Sequence, residues 1–136
     1  MAWAAVRNEV TLAPFLFFLA TVFWATGYDT IYALVDMEDD VRIGVKSTAI
    51  LFGKYADIAI AVVFLLTIIT LLMIGIVTGL GHVYLFSLFL VTIGFFYQVV
   101  LIRRGIERPG LFRLFKSHVW IGFIVLIGII SDILTR

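Results

Sequence analysis

Four long apolar segments follow one another along the chain, and polar residues separate them. They lie at about 12–35, 58–78, 83–102 and 119–134. A helix needs about 20 residues to cross the hydrocarbon core of a bilayer, and only a helix satisfies the backbone hydrogen bonds of a single segment there. The pattern therefore predicts an all-α membrane protein in which residues 1–136 form one domain of four transmembrane helices.

The connections between these segments differ in charge. The second and third segments are joined by GLGH, which contains no Lys, Arg, Asp or Glu, whereas the other two connections hold eight of the ten Lys and Arg residues. Four consecutive antiparallel helices place those two connections at the same end of the bundle. Because basic loops remain on the cytoplasmic side of a membrane, we expect this end to face the cytoplasm.

The composition agrees with a membrane protein and narrows its partners. Hydrophobic residues make up 63% of the chain and charged residues 14%, against about 45–50% and about 25% in ordinary globular domains. The net charge of +1 provides no positive field that would favour nucleic acid as a partner. The absence of Cys excludes disulfide bonds and thiolate metal sites.

One polar stretch brings a dense set of carboxylates to the membrane boundary. The residues YDTIYALVDMEDDVRIGVKSTA, at 28–49, carry five of the nine acidic residues. If the first helix continues through Asp40, then Asp29, Asp36 and Asp40 lie within about 40° of one another on its surface, with Asp39 one step round. Like charges so placed repel, so a cation is expected there, and magnesium is usually held by one or two carboxylates together with substrate phosphates.

Two basic residues follow the carboxylates. Arg42 and Lys46 are four residues apart, with Gly44 between them. Basic side chains bind phosphate oxygens that a metal leaves free, so the stretch predicts a site for a lipid diphosphate whose tail lies among the apolar helices. Two other interpretations stay open. The charged side chains are solvated loop and anchor residues, or Asp29, which is costly inside a membrane span, only pairs with a neighbouring helix.

The same stretch closely resembles the second aspartate-rich motif of the UbiA superfamily of intramembrane prenyltransferases. The tyrosine–aspartate pair at 28–29, the DxxxD at 36–40, the GVKSTA at 44–49 and the following LFG-x-Y are all present. A weaker resemblance, including FYQ at 96–98, extends over essentially the whole chain. The sequence is most similar to the 4-hydroxybenzoate polyprenyltransferases of ubiquinone synthesis, which implies the bacterial or mitochondrial inner membrane.

The resemblance implies a nine-helix bundle in which two aspartate-rich motifs hold Mg²⁺ and polyprenyl diphosphate across a central cavity. Loss of diphosphate leaves an allylic cation, which the ring of 4-hydroxybenzoate attacks. The DxxxD residues Asp36 and Asp40, with Asp39 beside them, are the expected metal ligands, and the first two are the expected catalytic residues. The other carried-over positions are Arg42 and Lys46 for the diphosphate, and Asp29, Tyr28 and Tyr32 for the cavity wall.

The sequence also departs from the family. The first aspartate-rich motif has no counterpart, since Glu9 is the only acidic residue before Asp29. The four helices correspond to the C-terminal part of the nine, so we expect the missing N-terminal half of the same enzyme to supply the opposite wall, and this chain alone to be inactive. The alternatives are a related enzyme with another aromatic acceptor, or a non-enzymatic cation-binding membrane protein.

Two polar residues of the last segment are assigned to its ends. His118 stands near a position where the family more often has an asparagine, and we expect it to act as a cap or an interface residue at the start of the helix. Asp132 lies near the opposite end of the segment, where an ionisable side chain reaches water. We therefore expect Asp132 to be interfacial.

Overall fold

A computed structural model describes residues 5–6 and 11–136 of the chain, so Glu9 and Arg7 lie outside the described residues. The described part contains helices and no strands. Its elements are α1 (Leu12–Ile43), α2 (Thr48–Phe52), a 3₁₀ turn (Gly53–Tyr55), α3 (Ala56–Thr78), α4 (His82–Arg103) and α5 (Arg108–Leu134).

Four of these helical segments are long and apolar enough to cross a membrane, which confirms the predicted fold class. The first is α1, and the second is the continuous stretch Thr48–Thr78, which contains α2 and α3. The third and fourth are α4 and α5. Helix α1 packs against α3 and α5, and α4 packs against the same two helices. The four long helices therefore form a bundle in which each helix has two neighbours.

Ion pairs and hydrogen bonds at the two ends show that neighbouring helices run in opposite directions. At one end, Asp57 at the start of α3 lies 4.0 Å from Arg103 at the close of α4. At the other end, Asp132 near the close of α5 bonds to Gly81 just before α4. Both long charged connections therefore lie at the same end, as predicted.

Helix α1 continues well beyond the predicted apolar segment, which ended near residue 35. It ends at Gly44, whose φ of 75° is a left-handed conformation that favours glycine. The next residue, Val45, donates its N–H to the carbonyl of Asp40 at 3.0 Å, which closes the last turn. The condition for the carboxylates to share one face of a helix, continuation through Asp40, is thus met.

Helix α5 begins at Arg108, well before the predicted apolar segment, which starts near residue 119. The basic stretch from Arg108 to Lys116 belongs to the predicted connection between the third and fourth apolar segments. Pro109 lies in the first turn of α5, where its missing N–H would have had no helical partner. The first turns of α5 carry the exposed basic side chains of Arg108, Arg113 and Lys116 and precede its apolar part.

The core is continuous along the bundle and includes one buried carboxylate that was predicted to be interfacial. The side chain of Asp132 is 3% exposed. It accepts hydrogen bonds from the backbone N–H of Gly81 at 2.8 Å and of Tyr84 at 3.2 Å, and Arg136 donates to it at 3.3 Å. Asp132 therefore satisfies the free N–H groups at the start of α4, which have no partner within the helix.

Candidate functional site

The carboxylates predicted to bind a metal lie along the C-terminal part of α1. Asp36 and Asp40 are half-buried, whereas Asp29 is exposed. Within residues 5–6 and 11–136, none of these three carboxylates forms a hydrogen bond or an ion pair with another side chain. Asp36 and Asp40 are one helical turn apart, so their oxygens face the same region of space.

Asp39 differs from its neighbours because a basic side chain engages it. Its Oδ2 lies 3.1 Å from a guanidinium nitrogen of Arg108, the first residue of α5. Both side chains are about half-exposed, so the pair is screened by water and its strength is modest. The pair joins the end of α1 to the start of α5 and directs Asp39 toward α5.

The two predicted diphosphate ligands are exposed, and the structure does not place Arg42 beside the carboxylates. Two residues along a helix correspond to a rotation of about 200°, so Arg42 lies on the side of α1 opposite Asp40. There it lines a groove with Glu38 and Val41. Lys46 lies beyond Gly44 in the short non-helical link to α2.

The link that carries Lys46 is held back against α1. Ser47 caps α2 by accepting the N–H of Ile50 at 3.3 Å. Thr30 of α1 donates its hydroxyl to that of Thr48 at 3.1 Å. The chain after Gly44 therefore folds back along α1 instead of extending away from the bundle.

The donor set of α1 fits a magnesium ion in part. No group of three or more His, Cys, Asp or Glu side chains in the described part of the chain is arranged to hold a metal. Asp36 and Asp40 are nevertheless hard oxygen donors without side-chain partners among these residues. Because Mg²⁺ is often bound by one or two carboxylates plus substrate phosphates, these two residues suit it as a partial ligand set.

An aromatic groove of about 470 Å³ opens between α1 and α5, farther from the charged end than the carboxylates. Tyr28 lines it, and its ring centroid lies 6.0 Å from that of Phe115. Tyr32 lies 5.0 Å from the same Phe115 ring and is 42% exposed. The remaining lining residues are Thr21, Trp24, Lys116, His118 and Val119.

His118 is buried beside this groove, which contradicts the cap or interface role expected for it. It lies well inside α5 and is 6% exposed. Its Nδ1 accepts a hydrogen bond from the indole Nε1–H of Trp24 at 2.8 Å. The rings around it, with centroids 5.6–6.3 Å away, belong to Trp24, Tyr28, Phe64 and Phe95.

Both buried polar residues of α5 lie on one face of the helix. From Leu111 onward, the buried positions of α5 recur every three or four residues, the spacing of one helical face. They are Leu111, Leu114, His118, Ile121, Val125, Gly128 and Asp132. His118 and Asp132 belong to this repeat, but residues 119–134 are almost all apolar, so the sequence pattern did not separate a buried face from an exposed one.

Comparison with known proteins places these observations in a family. The model of the UbiA prenyltransferase family matches residues 1–129. The 4-hydroxybenzoate octaprenyltransferases of Escherichia coli and Shigella boydii are each 41% identical to the chain over 129 residues, which cover 95% of this chain and 44% of the relative. The chain therefore spans less than half the length of these relatives. No solved structure was found to match it.

Proposed function

Because the chain belongs to the UbiA prenyltransferase family, we propose that it forms one side of an intramembrane prenyltransferase site. The proposed reaction transfers a polyprenyl group from polyprenyl diphosphate to 4-hydroxybenzoate in ubiquinone biosynthesis. The observation that supports it best is the position of Asp36 and Asp40. They are half-buried on one face of α1, one turn apart, and no side chain of the described residues pairs with them.

We assign Asp36 and Asp40 to the diphosphate end of the site. They would hold Mg²⁺, which neutralises the charge that develops on the departing diphosphate. Asp39 is the weaker candidate because Arg108 already engages its carboxylate. Lys46 follows Asp40 closely in the link folded against α1, and we assign it to the diphosphate oxygens.

Arg42 and Asp29 have less support from the structure. Arg42 points away from Asp40, so it reaches a diphosphate only if that group extends round the end of α1. Asp29 is exposed and lies about two turns from Asp36 on the same face. We keep Arg42 as a candidate diphosphate ligand and Asp29 as a candidate residue of the cavity wall.

The aromatic groove suits the apolar part of the donor. Its lining includes Trp24, Tyr28 and Phe115, and it lies on the side of the carboxylates that is farther from the charged end of the bundle. A largely apolar lining excludes water from the isoprenoid chain of the donor. Tyr32, between the groove and Asp36 along α1, is the aromatic side chain best placed to stabilise that cation through its ring face.

The described residues contain no group of three or more side chains arranged to hold a metal ion. We propose that the remaining ligands come from a region equivalent to the N-terminal half of the relatives, facing α1 across the cavity. The basic end of the bundle would face the cytoplasm of a bacterial inner membrane, or the matrix of a mitochondrial one.

A second candidate function is cation binding without catalysis, because the carboxylates are present while a complete ligand set is not. The two functions differ in what stabilises the protein. We expect geranyl diphosphate to raise the unfolding temperature of the chain in nanodiscs only when Mg²⁺ is present. An equal rise with Mg²⁺ alone would favour the second function instead.

The reaction itself is tested with membranes that contain only this chain. These are incubated with polyprenyl diphosphate, Mg²⁺ and 4-hydroxybenzoate, and prenylated product is measured by mass spectrometry. We expect no product above background, because part of the metal site has to come from elsewhere. Product formed by the chain alone would overturn the proposed division of the site.

A further inference from the structure

The hydrogen bond between Trp24 and His118 joins α1 to α5 at the wall of the aromatic groove. The indole Nε1–H donates to Nδ1 of the imidazole at 2.8 Å, and both side chains line the groove. Because Nδ1 accepts, the proton of the neutral imidazole is on Nε2. An indole N–H only donates, so the direction of this bond is fixed.

The indole of Trp24 is held on a second side as well. Its Cη2 lies so close to Gly122 of α5 that a Cβ added at that glycine would be 3.2 Å away. Beside His118 on α5, the side chain of Ser117 accepts a hydrogen bond from the Gln98 side-chain amide of α4 at 2.9 Å. The ring therefore has little freedom to rotate or to shift along the groove.

Packing alone does not explain a histidine at this position. The imidazole is surrounded by aromatic rings, and its buried Nε2 has no hydrogen-bond partner among the described residues. Burying a polar group without a partner opposes folding. A leucine would remove the unpaired Nε2 but would leave the indole N–H of Trp24 without its acceptor, so the imidazole is explained by the indole that it holds and not by filling the core.

We propose that His118 is a positioning residue that holds the indole of Trp24 as a fixed wall of the groove, and so sets how tightly the groove takes the isoprenoid chain of the donor. This inference rests on the proposed function, in which the diphosphate lies at Asp36 and Asp40. Trp24 is twelve residues from Asp36, or about 18 Å along the axis of α1. The indole therefore contacts the distal chain and not the diphosphate.

This position predicts an effect that depends on the length of the prenyl chain. Loss of the hydrogen bond should weaken binding of geranylgeranyl diphosphate, whose chain reaches the groove. It should leave dimethylallyl diphosphate unaffected, because a single isoprene unit ends far short of Trp24. General damage to the fold would instead weaken the binding of both donors.

Four variants separate the hydrogen bond from the packing. His118→Asn keeps an acceptor near the position of Nδ1, whereas His118→Leu has none. Trp24→Phe removes the donor and keeps an aromatic ring. Trp120→Phe is the matched control, because Trp120 lies on α5, the helix of His118, but is 71% exposed.

The test measures the dissociation constants of both donors for the chain in nanodiscs with Mg²⁺. We expect His118→Leu and Trp24→Phe to weaken geranylgeranyl diphosphate binding about fivefold or more, the effect of about one lost hydrogen bond. Dimethylallyl diphosphate should bind all variants equally, and His118→Asn and Trp120→Phe should resemble the parent chain. The indole N–H resonance of Trp24, assigned by its loss in Trp24→Phe, should shift in His118→Leu and stay in place in His118→Asn.

The outcomes distinguish this inference from the proposed function. Unchanged binding of geranylgeranyl diphosphate by His118→Leu, or an equal loss for both donors, would overturn the role of His118. If His118→Leu does not fold, Trp24→Phe provides the same comparison from the other side of the bond. If the parent chain binds geranylgeranyl diphosphate no more tightly than dimethylallyl diphosphate, the groove does not take the isoprenoid chain and this inference fails, whereas the assignment of the diphosphate to Asp36 and Asp40 is unaffected.

Discussion

The carboxylate of Asp132 accepts the backbone N–H of Gly81 at 2.8 Å, so the end of α5 caps the start of α4. A second N–H of the same helix, that of Tyr84, bonds to the other carboxylate oxygen at 3.2 Å. Tyr84 is itself buried and donates its hydroxyl to the carbonyl of Leu71 in α3 at 2.8 Å. One carboxylate thus anchors a polar junction of three helices at the end of the bundle opposite the candidate site.

We predict that Asp132→Ala destabilises the protein by about 1–3 kcal/mol, because it leaves the buried N–H of Tyr84 and the partly buried N–H of Gly81 without acceptors. The free energy of unfolding in mixed micelles measures this. Glu107→Ala is the control, since Glu107 precedes α5 without capping it by a side-chain hydrogen bond. Equal stability of Asp132→Ala and the parent chain would contradict the capping role.

Donor binding should depend on the two carboxylates assigned to Mg²⁺, Asp36 and Asp40, and not on their acidic neighbour Glu38. We predict that Asp36→Asn and Asp40→Asn each raise the dissociation constant of geranyl diphosphate in Mg²⁺ about tenfold or more, since a charge-assisted contact is lost. Glu38→Gln should have no such effect, because Glu38 is exposed on another face of α1. Chelating Mg²⁺ should weaken binding to the parent chain and leave Asp36→Asn largely unchanged. Full binding by both Asn variants would remove these residues from the site.

The ion pair between Asp39 and Arg108 should contribute little to stability. Exposed pairs contribute about 0.2–1 kcal/mol, and salt screens them. We expect a double-mutant cycle with Asp39→Asn and Arg108→Gln to give a coupling energy in this range that falls with added salt.

The same variants test whether Asp39 is a metal ligand. If Arg108 is its main partner, Asp39→Asn should raise the dissociation constant of geranyl diphosphate less than Asp36→Asn does. An equal effect of the two variants would identify Asp39 as a ligand.

Two glycines of the α4–α5 pair should respond oppositely to the same substitution. A Cβ at Gly128 would overlap the side chain of Ser87 on α4, whereas a Cβ at Gly94 would meet only Ile121 Cδ1, at 3.8 Å. We predict that Gly128→Ala destabilises the bundle by about 1–3 kcal/mol through overpacking. Gly94→Ala should be neutral or stabilising, because alanine favours the helix. Thermal unfolding of both variants tests this, and a tolerated Gly128→Ala would show that the two helices separate easily.

The sequence predicted the helices well because each has to satisfy its own backbone in lipid. Their ends were harder to locate. The apolar pattern of the first segment stops near residue 35, yet α1 continues to Ile43, because a helix leaving the bilayer no longer needs apolar side chains. The start of α5 was hidden for the same reason, since its first turns are basic.

The sequence also predicted the features of the candidate site that depend on one helix, but not those that depend on contacts between helices. The shared face of Asp36 and Asp40 followed from helical geometry once α1 was known to continue. Asp39 pairs with Arg108, and Trp24 pairs with His118, although the members of each pair are far apart in sequence. The spacing of residues along one helix does not determine which side chains of another helix they contact. The roles predicted for His118 and Asp132 at the ends of α5 were wrong, because the apolar residues all round this segment do not indicate which of its faces is buried.

The length of α1 determines the height of the proposed site in the membrane. Its 32 residues extend about 48 Å, whereas the hydrocarbon layer is about 30 Å thick. If the helix enters that layer near Leu12, Asp36 and Asp40 emerge in the headgroup layer, while Trp24 and Tyr28 remain among the acyl chains. A donor lipid would then keep its diphosphate hydrated and its isoprenoid chain in hydrocarbon while it diffuses into the protein sideways, without crossing a polarity barrier.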